Sequence, residues 1–289
     1  MLKCELINDH FQNYKQYNIP KAQLVIADIP YNLGNNAYAS NPQWYKDGDN
    51  KNGESELAGK EFFDTDKDFR IKEFFHFCNH LIKPEPKEKN KAGAMIVFCA
   101  FQQIGYLIEK AKEYGFKKSY PLVFIKNFSS QVLKANMKIV GATEYAVVFY
   151  RDKLPKFNGG GHMKFNWFNW KRDGKEYPKL HPTQKPIGLL KELIEIFTDK
   201  GDVVIDPVAG SGSTLRASYE LRRNSYGFEI KKDFCKAANE KMLDPVRKIV
   251  TIEDIMEEEE RQKRIAKYQK KAGNKCKKLR WEVFGKYGD

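Results

Sequence analysis

The stretch that decides the fold runs from Val203 to Ile230. It begins Val203-Val204-Ile205-Asp206-Pro207-Val208-Ala209-Gly210-Ser211-Gly212-Ser213-Thr214, continues as a helical run to Arg223 and closes with Ser225-Tyr226-Gly227-Phe228-Glu229-Ile230. The pattern predicts a strand, a tight glycine turn, a helix and a second strand, with an acid at the end of each strand. Such a unit is typical of an α/β protein that binds a ligand at the carboxyl ends of parallel strands.

The glycine turn predicts a nucleoside ligand. Glycines bring backbone N–H groups and a helix N-terminus close to a ligand. Glu229 lies 19 residues after Gly210, near the spacing at which an acid meets ribose hydroxyls in dinucleotide folds. Gly-Lys-Ser/Thr for a triphosphate is absent, and so is the third glycine of the dinucleotide pattern. A ligand with few charges remains, and S-adenosylmethionine (AdoMet) is the obvious one.

A second motif follows another apolar run. Gln23-Leu24-Val25-Ile26-Ala27 is followed by Asp28-Ile29-Pro30-Tyr31-Asn32. The pattern predicts a buried strand with a carboxylate, a proline turn and an aromatic ring at its carboxyl end. Open α/β sheets bind ligands at that end.

These segments resemble motifs of one enzyme family. Asp28-Ile29-Pro30-Tyr31 and Asp206–Gly212 are similar to the Asp-Pro-Pro-Tyr and Asp-Pro-Phe-x-Gly-Ser-Gly motifs of the amino-directed DNA methyltransferases. His181-Pro182-Thr183-Gln184-Lys185-Pro186 resembles a third motif of that family. The catalytic motif precedes the cofactor loop, which is the order of the β group. The resemblance covers roughly residues 1–245, and it implies a Rossmann-like AdoMet-dependent methyltransferase fold with a mostly parallel twisted sheet, helices on both faces and a permuted motif order.

The resemblance also implies roles for particular residues. Asp28 and the backbone carbonyl of Ile29 would accept the two hydrogens of the target amine, Pro30 would fix the turn, and Tyr31 would stack on the flipped base. The implied AdoMet site comprises Asp9, Asp28, His181, Thr183, Gln184, Lys185, Asp206, Pro207, Ala209, Gly210, Ser211, Gly212, Ser213, Thr214, Glu229 and Ile230. Within that set, Glu229 would hold the ribose, Lys185 the methionine carboxylate and Asp9 the adenine amine.

The chain departs from the family pattern at three positions. Ile29 replaces the first proline of Asp-Pro-Pro-Tyr, but its implied role uses only the backbone carbonyl. Val208 and Ser213 replace the usual Phe and Thr of the glycine loop, so the cofactor loses an aromatic neighbour.

The remaining chain divides into predicted elements and insertions. Strands are predicted at 6–9, 94–100, 122–126 and 145–150, and helices at 71–82, at 103–113 and after Pro186. Residues 33–70 are rich in Asn, Asp, Gly and Lys, which predicts a long, mobile loop. The resemblance implies that this loop closes over the flipped base and the DNA. The predicted domains are a methyltransferase domain at 1–250 and a charged helical tail at 251–289.

Residues 152–180 are the candidate target-recognition insertion. Aromatic residues alternate there with cations, and Lys164, Trp167, Trp170, Lys171 and Arg172 are the candidate DNA contacts. Bases stack on aromatic rings, whereas Lys and Arg bind phosphates. An aromatic cluster that anchors the loop to the core is an equally good interpretation.

Composition agrees with a polyanionic partner. The 289 residues include 51 Lys and Arg against 38 Asp and Glu, a net charge of +13, which favours a polyanionic partner. The resemblance implies that this partner is double-stranded DNA. The five cysteines form no CxxC pair and indicate a reducing cytoplasm. Neither a signal peptide nor an apolar run long enough for a membrane span is recognisable. The resemblance further implies a bacterial or phage gene, and it allows a homodimer and a cognate restriction endonuclease.

Several alternatives can be weighed from the sequence. Cytosine C5 methylation needs a nucleophilic cysteine after a proline, and no cysteine follows one here. His76 and His80 have the i,i+4 spacing of a metal helix, but they lie among phenylalanines and predict a core-packing helix without a metal. Adenine N6 is favoured as the target because Asp rather than Ser begins the catalytic motif. Cytosine N4 on the same scaffold, an RNA or protein substrate, and a non-catalytic DNA-binding protein remain alternatives.

Overall fold

The computed structural model describes residues 2–31, 69–127, 131–134, 139–181 and 183–249, together with 256, 257, 259, 260 and 263. The chain forms two compact units, Met1–Asp244 and Pro245–Asp289. Residues 33–68 of the predicted loop and most of the predicted tail lie outside the described residues. Among the described helices, no segment has the length and apolar character that crossing a bilayer requires.

An eight-stranded sheet forms the centre of the first unit, in the order β1-β10-β9-β2-β3-β7-β4-β8. The strands are β1 (Cys4–Ile7), β2 (Leu24–Asp28), β3 (Ala94–Cys99), β4 (Lys118–Lys126), β7 (Thr143–Tyr150), β8 (Trp167–Trp170), β9 (Val203–Asp206) and β10 (Asn224–Phe228). Strand β7 is antiparallel to its neighbours β3 and β4, whereas the other pairs are parallel. Strands β5 (Gln131–Lys134) and β6 (Ile139–Gly141) form a separate antiparallel pair.

Helices cover both faces of this sheet. They are α1 (Ile71–Leu81), α2 (Ile104–Glu113), α3 (Ile187–Phe197), α4 (Ser213–Glu220) and α5 (Lys232–Ala237). Tyr226 and Phe228 of β10 belong to the core cluster that contains the phenylalanines of α1. Gly227 faces the other side, because successive strand residues alternate, and there it meets Leu215 of α4. All six residues of β3 are buried, as expected for a strand covered on both sides.

Helix α1 shows why its sequence packs on the core. Its buried residues are Phe74, Phe75, Phe77, Cys78 and Leu81, which recur at helical spacing. His76 and His80 lie on the exposed side with their ring centroids 4.4 Å apart. The prediction of a core-packing helix is confirmed.

Strand β8 was not predicted, since residues 152–180 were interpreted as an irregular insertion. Phe168 and Trp170 are buried while Trp167 and Asn169 are exposed, which is strand alternation over four residues. A segment this short carries little periodic signal. Parallel pairing with β4, which places Val123 opposite Trp167, therefore decides its conformation.

Two glycines should respond oppositely to alanine. A Cβ on Gly227 would lie 2.7 Å from Leu215 Cδ1 and 3.0 Å from Ala209 Cβ, whereas nothing lies within 4 Å of a Cβ on Gly105 in α2. We expect Gly227→Ala to lower the free energy of unfolding by about 1–3 kcal/mol through overpacking. Gly105→Ala should raise it by about 0.5–1 kcal/mol, because alanine is the better helix former. Urea unfolding of both variants tests this, and equal effects would contradict the packing described for β10 and α4.

Candidate functional site

Four acids lie near the carboxyl edge of the sheet, the side at which the parallel strands have their carboxyl ends. Asp28 ends β2 and Asp206 ends β9, while Glu229 directly follows β10 and Asp9 lies just beyond β1. The chain continues from β2 to β3 on one side and from β9 to β10 on the other, so the adjacent pair β2 and β9 marks a topological switch point. Open α/β sheets bind ligands at such points. Two of the three sequence motifs thus meet at this edge.

The glycine loop is tied to the acid of the next strand. Gly210 and Gly212 have φ values of +50° and +75°, in the region that favours glycine. The backbone N–H of Gly210 donates to Glu229 Oε2 at 3.0 Å, and that of Lys231 donates to Oε1 at 2.7 Å. The loop after β9 and the acid after β10 therefore form one hydrogen-bonded unit. Burial raises the pKa of Glu229, while these backbone donors oppose the rise.

Asp206 is the most deeply buried acid of the site. Its Oδ1 accepts the backbone N–H of Val208 at 3.0 Å. Burial raises the pKa of Asp206 to about 7, against the hydrogen bonds from Thr214 and Val208 and with the help of the negative charges of Asp28 and Glu229. The carboxyl is therefore largely protonated in mildly acidic solution.

The other residues of the glycine loop serve its conformation. The hydroxyls of Ser211 and Ser213 are buried and lie 2.7 Å apart. The N–H of Ala209 donates to the carbonyl of Phe228 at 2.8 Å, which fastens the loop to β10. Pro207 is buried, whereas Ile230 is 44% exposed.

His181 reaches the glycine loop from the third motif. Its Cδ2 lies 4.0 Å from the position of a Cβ on Gly210, and its ring centroid is 5.2 Å from that of Phe234. Burial lowers the pKa of His181 to about 4, assisted by the positive charges of Lys185 and Lys231. The imidazole is neutral at pH 7, and Nδ1 accepts the N–H of Thr183 at 3.2 Å.

Gln184 and Asp9 use their side chains locally. Gln184 accepts the N–H of Leu180 and donates to the carbonyl of Pro178, both at 3.0 Å. The Asp9 carboxylate accepts hydrogen bonds from the His10 N–H, the Asn13 amide and the Tyr17 hydroxyl. These hydrogen bonds hold the pKa of Asp9 below its usual value. The cofactor roles implied for Gln184 and Asp9 stay predictions.

Lys185 lies against Asp28, an arrangement that the sequence analysis missed. Its Nζ is 2.5 Å from Asp28 Oδ2 and 3.4 Å from Glu144 Oε2. Glu144 also pairs with Lys126 at the end of β4. Because β7 is antiparallel, its first residues lie where the parallel strands end, and this brings Glu144 to the site. The signal in the sequence was a single acid that precedes the apolar run Tyr145–Tyr150.

The charges in this cluster influence one another. Burial raises the pKa of Asp28, and the charge of Lys185 opposes that rise. Burial would also raise the pKa of Glu144, but Lys185 and Lys126 hold it below its usual value. Desolvation alone would lower the pKa of Lys185, yet Asp28 and Glu144 raise it. Lys185 and Glu144 are therefore charged at neutral pH.

The Asp28–Tyr31 turn is held by Gln103, another residue that the sequence analysis missed. Gln103 Nε2 donates to the carbonyl of Pro30 at 2.9 Å, and Gln103 Oε1 accepts the N–H of Ala100 at 2.9 Å. The Tyr31 hydroxyl lies 3.5 Å from Glu144 Oε2, to which it donates. Burial raises the pKa of the neighbouring Cys99 thiol to about 12, with the negative charge of Asp28 adding to the effect.

The candidate DNA residues fall in two environments. Trp170 is 6% exposed, and its ring centroid lies 4.6 Å from Lys126 Nζ and 5.6 Å from Lys185 Nζ. Trp167 is 42% exposed and stacks on Phe165 at 5.8 Å. Lys164, Lys171 and Arg172 are exposed. Trp170 thus anchors the insertion to the carboxyl edge of the sheet, whereas Trp167 and the three cations lie at the surface.

A cleft of about 630 Å³ opens beside these surface residues, between β8, the segment that follows it and the first turns of α3. Trp167, Lys171, Arg172, Tyr177 and Glu192 are among its lining residues. Asp173 closes one side, since its carboxylate accepts the N–H of Ile187 at 2.8 Å. Within the part of the chain that the structure describes, no three His, Cys, Asp or Glu residues are grouped so as to hold a metal ion.

A comparison with protein families decides the identity. The DNA methylase family model (N6_N4_Mtase) matches residues 22–240, well over half of the chain. The chain belongs to the N6/N4 family of AdoMet-dependent DNA methyltransferases. The family predicted from the three motifs is confirmed.

Solved structures share the fold of this methyltransferase. The M1.HpyAVI–SAM complex has a TM-score of 0.58 and 23% identity, over 83% of this chain and 99% of that chain. PvuII DNA methyltransferase, described as cytosine-N4-specific, has a TM-score of 0.60 and 16% identity, over 85% of this chain and 90% of that chain. At these identities the likeness concerns the fold, and it confirms the predicted Rossmann-like architecture.

Curated relatives match the methyltransferase to different extents. DNA adenine methyltransferase YhdJ of Escherichia coli (strain K12) is 23% identical over 269 residues, which are 81% of this chain and 80% of that protein. Other relatives match over shorter segments, and the chain spans 32% to 66% of their length.

The raised pKa of Asp206 should make stability depend on pH. Between the unfolded pKa near 4 and the folded pKa of about 7, the folded state binds the extra proton, so this group lowers the free energy of unfolding as pH rises. We expect Asp206→Asn to remove this pH-dependent loss of stability. Between pH 5 and pH 7.5 the free energy of unfolding of the variant should therefore rise relative to that of the wild type, by up to about 1.4 kcal/mol per pH unit.

Asp202→Asn is the matched control for this measurement. Asp202 lies between Lys83 at 2.9 Å and Lys156 at 3.3 Å, directly before β9. Burial would raise its pKa, but its hydrogen bonds and the two lysines hold it below the usual value. Asp202 is thus ionised across this pH range, and its substitution should change stability by a pH-independent amount. Urea unfolding at several pH values tests both variants, and parallel curves for Asp206→Asn and wild type would refute the assignment.

Proposed function

We propose that this chain transfers a methyl group from AdoMet to the exocyclic N6 of adenine in DNA. One observation carries the proposal: Asp28 ends β2 at the switch point of the sheet, and its buried Oδ1 has no hydrogen-bond partner among the described residues. A buried acceptor without a donor is unfavourable, so it indicates a donor that arrives with a ligand. An exocyclic amine has the N–H groups that this position requires.

The residues beside Asp28 fit AdoMet. Each Glu229 oxygen accepts one backbone N–H and retains a lone pair for a ribose hydroxyl. His181 Cδ2 would lie 4.0 Å from a Cβ on Gly210, and a neutral imidazole at this position adds no positive charge that would repel the sulfonium. Asp206 lies between Asp28 and Glu229 in the strand order and can meet the amino acid end. AdoMet supplies an electrophilic methyl group on its sulfonium sulfur.

The chain's own residues would activate the amine. An exocyclic amine is a poor nucleophile because its lone pair is delocalised into the ring. Asp28 Oδ1 would accept one N–H and the Ile29 carbonyl the other, which turns the lone pair toward the methyl group. Pro30 and Gln103 hold the turn that presents that carbonyl. As the N–C bond forms, the bond between the methyl group and sulfur would break and leave its electron pair on sulfur. The nitrogen would lose one proton, for which Asp28 is the adjacent base.

DNA would approach along the surface of β8. Lys164, Lys171 and Arg172 are exposed there and supply phosphate contacts, while Trp167 offers a ring for stacking. The net charge of +13 favours this partner. The Trp170 ring is buried, so it could contact a base only at the carboxyl edge of the sheet. A homodimer and a partner endonuclease stay predictions of the family resemblance.

Adenine is favoured over cytosine by two observations. Asp28 rather than Ser begins the motif, and the relative that matches over four fifths of both chains is named as a DNA adenine methyltransferase. Cytosine N4 is the second candidate, because the PvuII enzyme of that specificity shares the fold with a TM-score of 0.60. Both amines need acceptors on their hydrogens, so the chemistry of Asp28 serves either base.

The target base can be identified directly. Incubation of the full chain with unmodified DNA and AdoMet, followed by nucleoside digestion and mass spectrometry, should yield N6-methyladenine. Asp28→Ala is the inactive control, because the amine then loses its carboxylate acceptor. N4-methylcytosine without methyladenine would transfer the proposal to the second candidate. Absence of both from wild-type reactions, with AdoMet bound, would refute DNA methylation.

Cofactor binding and chemistry should separate in two variants. Glu229→Ala should weaken AdoMet binding by about tenfold or more, because hydrogen bonds to charged groups contribute about 1.5–3 kcal/mol each. Asp28→Ala should leave the AdoMet Kd within a few-fold and abolish methyl transfer, since its partner is the target amine. Calorimetry gives both affinities. Unchanged AdoMet binding by folded Glu229→Ala would exclude its ribose role, and near-normal turnover by Asp28→Ala would exclude its catalytic role.

A further inference from the structure

Four charged side chains form a continuous series at the carboxyl edge of the sheet. Asp28 Oδ2 lies 2.5 Å from Lys185 Nζ, which lies 3.4 Å from Glu144 Oε2, and Glu144 Oε1 pairs with Lys126. The side chains of Lys126 and Lys185 are 6% and 8% exposed, that of Glu144 is 19% exposed and that of Asp28 is 29% exposed. Asp28 is thus the most exposed member of the series, and the other three are more buried.

Aromatic rings enclose the two ammonium groups. Lys185 Nζ lies 5.1 Å from the ring centroid of Phe98, 5.6 Å from that of Trp170 and 5.7 Å from that of Tyr31. The Trp170 ring also lies 4.6 Å from Lys126 Nζ. These distances fit cation–π interactions. Lys185 is therefore restrained by two carboxylates and three rings.

The two oxygens of Asp28 have different environments. Oδ2 is occupied by the Lys185 ammonium, whereas Oδ1 is buried and lacks a hydrogen-bond partner within the described part of the chain. A charge-assisted contact on one oxygen fixes the orientation of the carboxylate and hence of the second oxygen. Lys185 thereby determines where the free acceptor points.

We propose that Lys185 is a positioning residue for methyl transfer: it holds Asp28 by Oδ2 so that Oδ1 is presented to the target amine, and Glu144 with Lys126 holds Lys185 in place. This role rests on the function proposed above. It differs from the role implied by the family resemblance, in which Lys185 meets the methionine carboxylate. It also gives Glu144 and the buried Lys126 a part in the reaction without contact to either substrate.

The arrangement has a distinct electrostatic consequence. Burial raises the pKa of Asp28, the charge of Lys185 opposes that rise, Glu144 adds to it, and the hydrogen bond from Lys185 lowers it. The negative charge of Asp28 also contributes to the raised pKa values of Cys99 and Asp206. Removing the cation should thus raise the pKa of Asp28, and removing the Glu144 charge should lower it. Shifts of opposite sign in the two variants would show that both charges act on Asp28.

The first test measures the Asp28 carboxyl without any turnover. The full chain, labelled with ¹³C at aspartate carboxyls and free of AdoMet, is titrated by NMR, and the Asp28 signal is assigned by its loss in Asp28→Asn. We expect Lys185→Met to raise the pKa of Asp28 and Glu144→Gln to lower it. Asp202 is a carboxylate between two lysines at the amino end of β9, so Asp202→Asn should leave the pKa of Asp28 unchanged. An Asp28 titration unaltered in both Lys185→Met and Glu144→Gln would overturn the proposal.

The second test separates positioning from cofactor binding. In Lys185→Met, kcat at pH 7 should fall about tenfold or more and should recover as pH rises. The reason is that the pKa of Asp28 rises above the assay pH, and each unit of difference lowers the ionised fraction of this carboxyl about tenfold. The AdoMet Kd measured by calorimetry should stay within about threefold, since the lost partner is Asp28. Lys185→Arg should restore the acid limb of the profile.

The opposing result is equally specific. A large loss of AdoMet affinity in Lys185→Met, with the acid limb of the kcat profile unmoved, would assign Lys185 to the methionine carboxylate and overturn the proposal. Glu144→Gln keeps Lys185 and provides a second measurement if Lys185→Met does not fold. If wild-type protein binds AdoMet but methylates no DNA, the proposed function fails, and the carboxyl titration still decides whether Lys185 holds Asp28.

Discussion

Three carboxylates lie close together at the carboxyl edge of the parallel sheet, and desolvation there disfavours the charged form of each. The structure accommodates them in three different ways. Asp28 is paired with the Lys185 ammonium, Glu229 accepts two backbone N–H groups, and Asp206 has a pKa raised to about 7. The first two solutions also join distant segments: Lys185 brings the third motif to the end of β2, and the Gly210 N–H fastens the glycine loop to the acid after β10. The interactions that stabilise these buried acids therefore also hold the segments of the site together.

Chain direction decides which residues can take part. Seven strands of the sheet run one way, and β7 runs the other way, so its first residues lie where the others end. Glu144 therefore reaches Lys185, although 41 residues separate them in sequence. At the amino ends of the strands, directly before β9, Asp202 is paired with Lys83 and Lys156 by similar contacts. Similar ion pairs thus occur at both ends of the strands. Only at Asp28, among the described carboxylates of these pairs, is a buried oxygen left without a hydrogen-bond partner.

Local patterns were enough to predict much of the fold. The apolar runs that became β2, β3, β9 and β10 and the amphipathic α1 and α3 follow from periodicity, and the glycine loop follows from its residues. What the sequence could not provide depends on contacts between distant segments. Strand β8 exists because it pairs with β4, and the Lys185–Asp28 contact joins residues 157 apart. The motif resemblance named Lys185 as a site residue, but its neighbour follows from the three-dimensional fold.

The Cys99 thiol next to this edge has a chemical consequence of its own. A thiolate is a far better nucleophile than an aromatic amine and would compete for any activated methyl group held nearby. Burial and the negative charge of Asp28 raise the pKa of Cys99 to about 12, so the sulfur stays protonated at physiological pH. The carboxylate proposed to accept a hydrogen of the target amine thus adds to the effect of burial and favours the protonated, unreactive form of Cys99.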